Sequence, residues 1–293
     1  MLSTQNPVLI GIDLGGTKVA AGRIEGGILA KTIHEKIDAS SVDPLEIVEL
    51  IADIITRLMS QEVSGIGIGI PGLVDREQGI AYDVLNIPAW KEVHLGAILQ
   101  KKFNLPVYLD NDSNCFAIGE YRYGAFAGNR DFVGITLGTG MGGGIIKNGS
   151  LMPDAHSCSG EFGNIPYLDG IYEHYCSGMF FQKKFARSGE AVAIAARQGE
   201  AWAIKAYQEF GRHLGNAIKT IKMAVDPTMI IIGGSVARAS SLFEEAMWKS
   251  ISDFSFPSAL KGFQVNFSTT DHIAILGAAA LCLDSEQDSS HGH

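Results

Sequence analysis

Short apolar segments that end in glycine alternate along the chain with longer segments of helical periodicity. The first, residues 8–13, runs into Gly15 and is followed by a second apolar segment at 19–24. Residues 43–59 place apolar side chains at helical spacing and begin with an Asp-Pro pair, which is typical of a helix N-terminus. Further strands are predicted at 65–70, 106–109 and 229–232, and further helices at 200–224 and 272–283. This alternation predicts an α/β fold.

The opening segment of the chain recurs at residues 133–151. Residues 10–29 align with the second copy at an offset of 123 positions, so that Gly15 meets Gly138. Both copies have the pattern of a strand, a glycine-rich turn and a second strand. The chain therefore looks like a duplicated α/β unit with two similar lobes.

The repeat divides the chain into two predicted domains. The N-terminal α/β lobe covers 1–112 and is completed by the C-terminal helix at 272–284, and the C-terminal lobe covers 113–271. The last segment, 285–293, is polar and has no apolar periodicity, so we expect a disordered tail.

Composition restricts the kinds of partner. The chain has 293 residues, of which 46% are hydrophobic, and a formal net charge of -9. This acidic balance argues against a broad basic surface for nucleic acid or an anionic membrane, and it favours a small-molecule partner. The sequence shows neither an apolar run of about 18 residues nor a secretory signal, so we expect a cytoplasmic protein. Four scattered cysteines lack CxxC spacing and predict reduced thiols.

The two glycine-rich turns predict anion binding, because glycine lets backbone N–H groups approach phosphate oxygens. The GxGxxG pattern from Gly138 to Gly143 lacks the following helix of a dinucleotide site, and the sequence contains no GxxxxGK[ST] P-loop. Asp13 has Thr136 as its counterpart in the second copy, so only the first turn offers a carboxylate to Mg2+ or its water shell. The alternative for each turn alone is a tight hairpin, with Asp13 as an ordinary turn residue.

Three motifs, GIDLGGTK at 11–18, GIPGLVD at 69–75 and LGTGMGGG at 137–144, give the chain a resemblance to the ROK family of sugar kinases and sugar-responsive repressors. The resemblance extends over about residues 8–281. It implies the actin-like ATPase fold, in which two ribonuclease-H-like lobes close over ATP and a sugar. It also implies a homo-oligomer, either a dimer or a tetramer.

The resemblance implies a nucleotide site built from both glycine turns. Its residues are Asp13, Gly15, Gly16, Thr17 and Lys18 in the first phosphate motif, Gly138, Thr139 and Gly140 in the second, and Gly233 and Gly234 in a turn on the adenosine side. ATP is the implied phosphoryl donor, and the implied Mg2+ is held by Asp13 through water.

The resemblance also implies a sugar site. Its residues are Gly72, Asn86, Asn111, Asp112, Glu161, Asn164 and Glu173. In this site Asn111 would hold sugar hydroxyls and Asp112 would be the general base, both at the carboxyl end of a strand. The glutamates would accept hydroxyl protons. The plainer alternatives are that Asp112 or Ser113 caps a helix that begins near Asn114, and that each glutamate is a solvated loop acid.

Asn164 is a departure from the family pattern. Many members have a histidine at this position and a CxCGxxGC loop, which together bind zinc, whereas residues 165–175 contain no cysteine. His174 and Cys176 have no partner pair for tetrahedral coordination, so we predict that there is no zinc site. Because the histidine also touches sugar in relatives, the preferred hexose stays open.

The predicted activity is ATP-dependent phosphorylation of a hexose, with the 6-hydroxyl of glucose as the first choice. Mannose, fructose, allose, N-acetylglucosamine and N-acetylmannosamine are alternative substrates. A non-catalytic, sugar-sensing ROK protein is an alternative of another class. We expect no DNA-binding domain, since only seven residues precede the first predicted strand.

Overall fold

The structure, a computed structural model, describes residues 7–38, 43–84 and 87–290. Its strands are β1 (Val8–Leu14), β2 (Lys18–Glu25), β3 (Ile28–Lys36), β4 (Val63–Ile70), β5 (Leu73–Asp75), β6 (Ile80–Tyr82), β7 (Glu92–Val93), β8 (Val107–Asn111), β9 (Phe132–Leu137), β10 (Met141–Lys147), β11 (Ser150–Leu151), β12 (Pro166–Tyr167), β13 (Gly170–Ile171), β14 (Met229–Gly233) and β15 (Gln264–Phe267). Its α-helices are α1 (Pro44–Leu58), α2 (Leu95–Phe103), α3 (Asp112–Tyr123), α4 (Tyr172–Cys176), α5 (Gly178–Phe185), α6 (Gly189–Arg197), α7 (Ala201–Val225), α8 (Glu244–Ile251) and α9 (Ile273–Ser290). Short 3-10 helices lie at Phe162–Asn164, Val236–Leu242 and Pro257–Leu260.

The chain forms two compact units. Unit 1 consists of Met1–Asn129, Ser150–Ser159 and Thr270–His293, and unit 2 consists of Arg130–Gly149 and Gly160–Thr269. The first boundary thus falls after residue 129 and not after residue 112, where the sequence suggested it. Helix α3 belongs to unit 1 because its buried residues Cys115 and Ile118 pack against α9.

The two units share one arrangement of strands. In unit 1 the order is β3-β2-β1-β4-β8, with β1 antiparallel to β2 and parallel to β4. In unit 2 the strands β10, β9, β14 and β15 follow one another, with β9 antiparallel to β10 and parallel to β14. Strands β1, β2 and β4 therefore correspond to β9, β10 and β14. The predicted duplication is confirmed.

Helix α1 forms where the sequence predicts it. Asp43 is its N-cap, with a carboxylate that accepts a hydrogen bond from Leu45 N at 2.8 Å, and Pro44 is the first helical residue. The apolar stripe from Ile47 to Leu58 is buried in the core of unit 1. Burial of each large aliphatic side chain of this kind contributes about 1.5–3 kcal/mol.

Helix α9 approaches its neighbours in unit 1 so closely that glycine is required at several contacts, of which two are the shortest. A Cβ at Gly67 in β4 would lie 1.8 Å from Ala278 O, and a Cβ at Gly277 would lie 1.7 Å from Cys115 O. Neither distance is sterically possible, so any side chain here would force the backbones apart. This packing fixes α3, and with it the junction between β8 and α3, against the sheet.

Helix α9 is longer than the sequence predicts. It ends at Ser290, so residues 285–290 are helical and the prediction of a disordered tail is wrong for them, whereas 291–293 lie outside the described residues. The polar composition of residues 285–290 shows no apolar periodicity, so nothing in the sequence indicated this extension. The helix can continue here because each residue added to an established helix forms one more backbone hydrogen bond, whatever its side chain. Within the described ranges, no helix is both long and apolar enough to cross a membrane.

Candidate functional site

Asp13 lies at the end of β1 beside the first glycine turn, in unit 1. Gly15 N–H donates to Lys18 O at 2.9 Å and closes the turn that contains Gly16 and Thr17. Burial raises the pKa of Asp13 to about 6, and the Lys18 cation opposes this shift. A carboxylate whose charge is incompletely stabilised by its surroundings favours a nearby divalent cation. The residues of this turn therefore fit a magnesium-nucleotide.

The second glycine turn joins β9 to β10 in unit 2. Gly138 N–H donates to Gly140 O at 3.0 Å, and Thr139 at the tip is exposed. A Cβ at Gly138 would have no heavy atom of the described residues within 4 Å, and the φ angle of Gly138 is not left-handed. Neither packing nor backbone geometry therefore requires glycine at 138. Close approach of a phosphate to the backbone would require it.

Gly233 and Gly234 end strand β14 beside this second turn. Gly233 is paired with Thr136 of β9 in the sheet. Gly234 has a φ of 92°, and a Cβ there would lie 2.3 Å from Leu137 O. The fold itself therefore requires glycine at 234. Within unit 2, Gly233 and Gly234 lie next to the second glycine turn; their place on the adenosine side of a nucleotide stays a prediction.

Asn111 and Asp112 form the junction of β8 and α3 in unit 1. Asn111 is the N-cap, with Oδ1 accepting from Ser113 N at 2.9 Å, and its Nδ2 donates to Gly72 O at 3.1 Å. The alternative that Asp112 or Ser113 caps the helix is wrong, because the helix begins at Asp112. The structure thus brings Gly72 and Asn111 together and leaves the capping role to Asn111. Asn86 lies outside the described residues.

A buried carboxylate that sequence reasoning missed holds this junction. Asp110 is 2% exposed and accepts hydrogen bonds from Asn111 N at 2.7 Å, Asn114 Nδ2 at 2.8 Å and Arg76 Nε at 2.8 Å. Burial raises the pKa of Asp110, while Arg76 and the hydrogen bonds oppose the shift. Asp110 thereby fixes the backbone immediately before Asp112.

Arg76 extends the same network to a third segment of unit 1. Its Nη1 lies 3.0 Å from Asp154 Oδ1. Asp154 in turn accepts from Ser157 N at 3.0 Å and Ser159 N at 2.8 Å, and so shapes the loop that precedes Glu161. A polar residue directly after an apolar strand was the one sequence signal for Asp110. Nothing in the sequence paired it with Arg76 or Asp154.

Glu161 and Asn164 lie at the ends of a short 3-10 segment in unit 2. Asn164 Nδ2 donates to Glu161 Oε2 at 2.8 Å. Burial raises the pKa of Glu161, the Asn164 hydrogen bond opposes the shift, and the Glu173 carboxylate reinforces it. The charges of Glu161 and Glu173 therefore act on each other within unit 2.

Glu173 lies on α4 and contacts the second glycine turn as well. Its Oε2 accepts a hydrogen bond from Met141 N at 3.0 Å. A Cβ at Gly140 would lie 2.4 Å from the same oxygen, so glycine at 140 makes room for the carboxylate. The sequence grouped Glu173 with the predicted sugar residues only, and it contains no signal for this contact with the second glycine turn.

The hairpin β12–β13 precedes α4. It occupies the segment in which the sequence lacks the cysteines of the zinc loop. Tyr167 stacks on Tyr172 with ring centroids 4.3 Å apart. Asn216 Nδ2 donates to Tyr167 OH at 2.9 Å, and Tyr172 OH forms a hydrogen bond with Thr220 Oγ1 at 2.7 Å.

In the part of the chain that the structure describes, no group of three or more His, Cys, Asp or Glu residues could hold a metal ion. The absence of zinc stays a prediction.

Comparisons with known proteins agree on one family. The profile of the ROK family matches residues 9–285. A glucokinase of Streptomyces coelicolor is 31% identical over 277 residues, 82% of this chain and 86% of the relative. An N-acetyl-D-glucosamine kinase of Vibrio cholerae is 28% identical over 263 residues, 80% of this chain and 86% of the relative. The crystal structure of a ROK family glucokinase from Streptomyces griseus in complex with glucose and AMPPNP has a TM-score of 0.80 at 28% identity, covering 94% of this chain and 98% of that one.

These comparisons decide the fold class. The sequence predicted an α/β fold of the actin-like ATPase type with a duplicated ribonuclease-H-like unit, and this prediction is confirmed.

Proposed function

Because the chain belongs to the ROK family, we propose that it transfers the terminal phosphate of ATP to a hydroxyl of a hexose. The first candidate for the acceptor is the 6-hydroxyl of glucose. Glucokinases with this fold and comparable length support the proposal, and so do the residues that match the family motifs.

A carboxylate that contacts an open glycine turn, Glu173, gives the strongest structural support. Burial raises the pKa of Glu161 and the charge of Glu173 adds to this shift, while Glu173 itself accepts a hydrogen bond from Met141 N at 3.0 Å. Carboxylates accept hydrogen bonds from several hydroxyls, whereas backbone N–H groups of a glycine turn bind phosphate oxygens. A polyol acceptor next to a phosphate site is the arrangement that phosphoryl transfer to a sugar requires.

In the proposed mechanism Asp112 takes the proton of the attacking hydroxyl. The network of Asp110, Arg76 and Asn111 holds the backbone on which Asp112 sits, so the base is positioned before substrate arrives. Lys18 and the glycine turns stabilise phosphate charge, and Asp13 would hold Mg2+ through water. When bound, this ion supplies further neutralisation of phosphate charge.

Asn164 affects which hexose the proposed site would accept. Its Nδ2 donates a hydrogen bond to Glu161 Oε2 at 2.8 Å. The asparagine side chain is shorter than the histidine that many relatives have at this position. A shorter side chain leaves more room beside Glu161, which would suit a bulkier sugar. The similarity to an N-acetyl-D-glucosamine kinase favours N-acetylhexosamines as the second candidate class.

The test is ADP release with Mg-ATP and a panel of glucose, mannose, fructose, allose, N-acetylglucosamine and N-acetylmannosamine. Asp112→Asn is the variant to compare with the wild type, because it keeps the shape of the side chain and removes the proposed base. We expect turnover with at least one sugar and a loss of roughly 10²–10⁴-fold in kcat for the variant. Hexose affinity, measured by titration calorimetry, should stay close to that of the wild type.

Two outcomes would contradict the proposal. Folded wild-type protein that binds the sugars but releases no ADP would indicate a sensor. Full activity of Asp112→Asn would remove this residue from the mechanism.

A further inference from the structure

Residues 173–179 hold the second glycine turn of unit 2 at both of its ends. At one end, Glu173 Oε2 accepts from Met141 N at 3.0 Å. At the other, Gly178 N–H donates to Gly138 O at 2.8 Å. Buried Ser177 links the two contacts, since its Oγ donates to Glu173 O at 2.7 Å and accepts from Met179 N at 3.1 Å. The conformation of the turn therefore depends on the position of this segment.

Of these contacts, the one from Glu173 is made by a side chain whose charge also acts on a second acid, Glu161. Glu173 contributes to the raised pKa of Glu161, which places the two carboxylates in one electrostatic neighbourhood. Its Oε2 is the oxygen nearest to Gly140, at 2.4 Å from a Cβ built there, whereas Oε1 is 3.9 Å away. One oxygen of Glu173 thus lies against the turn, and the other lies farther from it.

We propose that Glu173 couples hexose binding to nucleotide binding, with one oxygen on a sugar hydroxyl and the other on the phosphate turn. This inference rests on the proposed function. A hydroxyl that donates to Glu173 holds the carboxylate in place and withdraws negative charge from the turn. The turn is then both more ordered and less repulsive toward phosphate. Both effects have the same sign, so hexose should strengthen nucleotide binding.

Linkage requires the reverse effect to be equal: nucleotide must strengthen hexose binding by the same factor. Couplings of this kind are typically on the order of 5–150-fold. Such coupling would benefit a sugar kinase, because an enzyme that binds ATP weakly in the absence of its sugar transfers less phosphate to water.

The test compares Glu173→Ala with Glu161→Ala. Both variants remove a proposed hydroxyl acceptor, but only Glu173 contacts the turn. The measurement is the Kd of a non-hydrolysable ATP analogue with Mg2+, by titration calorimetry, with and without a saturating hexose from the panel. We expect weaker hexose binding in both variants. The ratio of the two nucleotide affinities should keep its wild-type value in Glu161→Ala and fall to about one in Glu173→Ala.

A third variant keeps the test valid if Glu173→Ala unfolds. Glu173→Gln retains the shape and one acceptor oxygen, and it should give an intermediate ratio because a neutral acceptor holds the Met141 N–H less strongly. A wild-type ratio near one, or an unchanged ratio in the Glu173 variants, would overturn the coupling alone. Wild-type protein that binds no hexose at all would overturn the proposed function together with it.

Discussion

Asp110→Asn should destabilise the protein far more than its small chemical change suggests. The carboxylate is 2% exposed and accepts three hydrogen bonds, two on Oδ1 from Asn111 N and Asn114 Nδ2 and one on Oδ2 from Arg76 Nε. An asparagine amide has only one acceptor oxygen. Whichever way it is turned, its NH2 group therefore faces at least one donor across about 2.8 Å.

The least costly orientation keeps the two contacts on the oxygen and gives up Arg76. Losing a charge-assisted hydrogen bond and leaving a buried donor unsatisfied costs about 3 kcal/mol in total. Arg76 keeps Asp154 at 3.0 Å and is 30% exposed, which holds the cost at the lower end of the range for broken buried ion pairs. A loss of about 3 kcal/mol corresponds to a fall of roughly 6–12 °C in Tm.

The assay is urea unfolding at neutral pH, with Asp53→Asn as the matched control. Asp53 pairs with Arg57 at 3.2 Å on an exposed helix surface, so the control should change the free energy of unfolding by less than about 0.5 kcal/mol. Asp110→Asn should also raise the KM for hexose more than the KM for ATP, because the loss of the Arg76 contact weakens the network that holds the junction of Asn111 and Asp112. An Asp110→Asn protein as stable as the control would refute the claim that this network holds the site.

Three further changes test other parts of the account. Gly138→Ala should leave Tm unchanged, because the space around it is open, while the KM for ATP rises about tenfold or more; an unchanged KM would contradict a phosphate role. Gly277→Ala should destabilise by about 1–3 kcal/mol or more, since its Cβ would lie 1.7 Å from Cys115 O; wild-type unfolding in urea would contradict the packing argument. In wild-type protein without nucleotide or Mg2+, the contribution of Asp13 to stability should be lost as pH rises between the ordinary Asp pKa of 3.8 and the Asp13 pKa of about 6, because the folded state binds that proton more tightly. Asp13→Asn should flatten this part of the curve of Tm against pH, and an identical curve would contradict it.

The sequence predicted those features that depend on local patterns. Strand β1, the glycine turn after it and helix α1 follow from apolar spacing and from turn and capping residues that are neighbours in the chain. The repeat at Gly15 and Gly138 predicted the common topology of the two units, because each copy contains its own hairpin, β1–β2 in unit 1 and β9–β10 in unit 2.

Features that depend on distant contacts were not predictable. The first domain boundary was misplaced because α3 is held in unit 1 by α9, through a glycine contact between Gly277 and Cys115. The pairing of Arg76 with Asp110 joins residues 34 positions apart, and that of Glu173 with Met141 joins residues 32 apart. Hydrogen bonds of this kind follow from the fold and have no periodicity that a sequence could reveal.

Phosphoryl transfer to a hexose can be followed by 31P NMR of a reaction that contains the protein, Mg-ATP and the sugar that binds to the protein best. We expect the ATP signals to be replaced by those of ADP and of one sugar phosphomonoester, in equal amounts, and Asp112→Asn to form both products at least about 100-fold more slowly. Release of ADP with inorganic phosphate alone, or no consumption of ATP by folded protein, would contradict the proposed transfer.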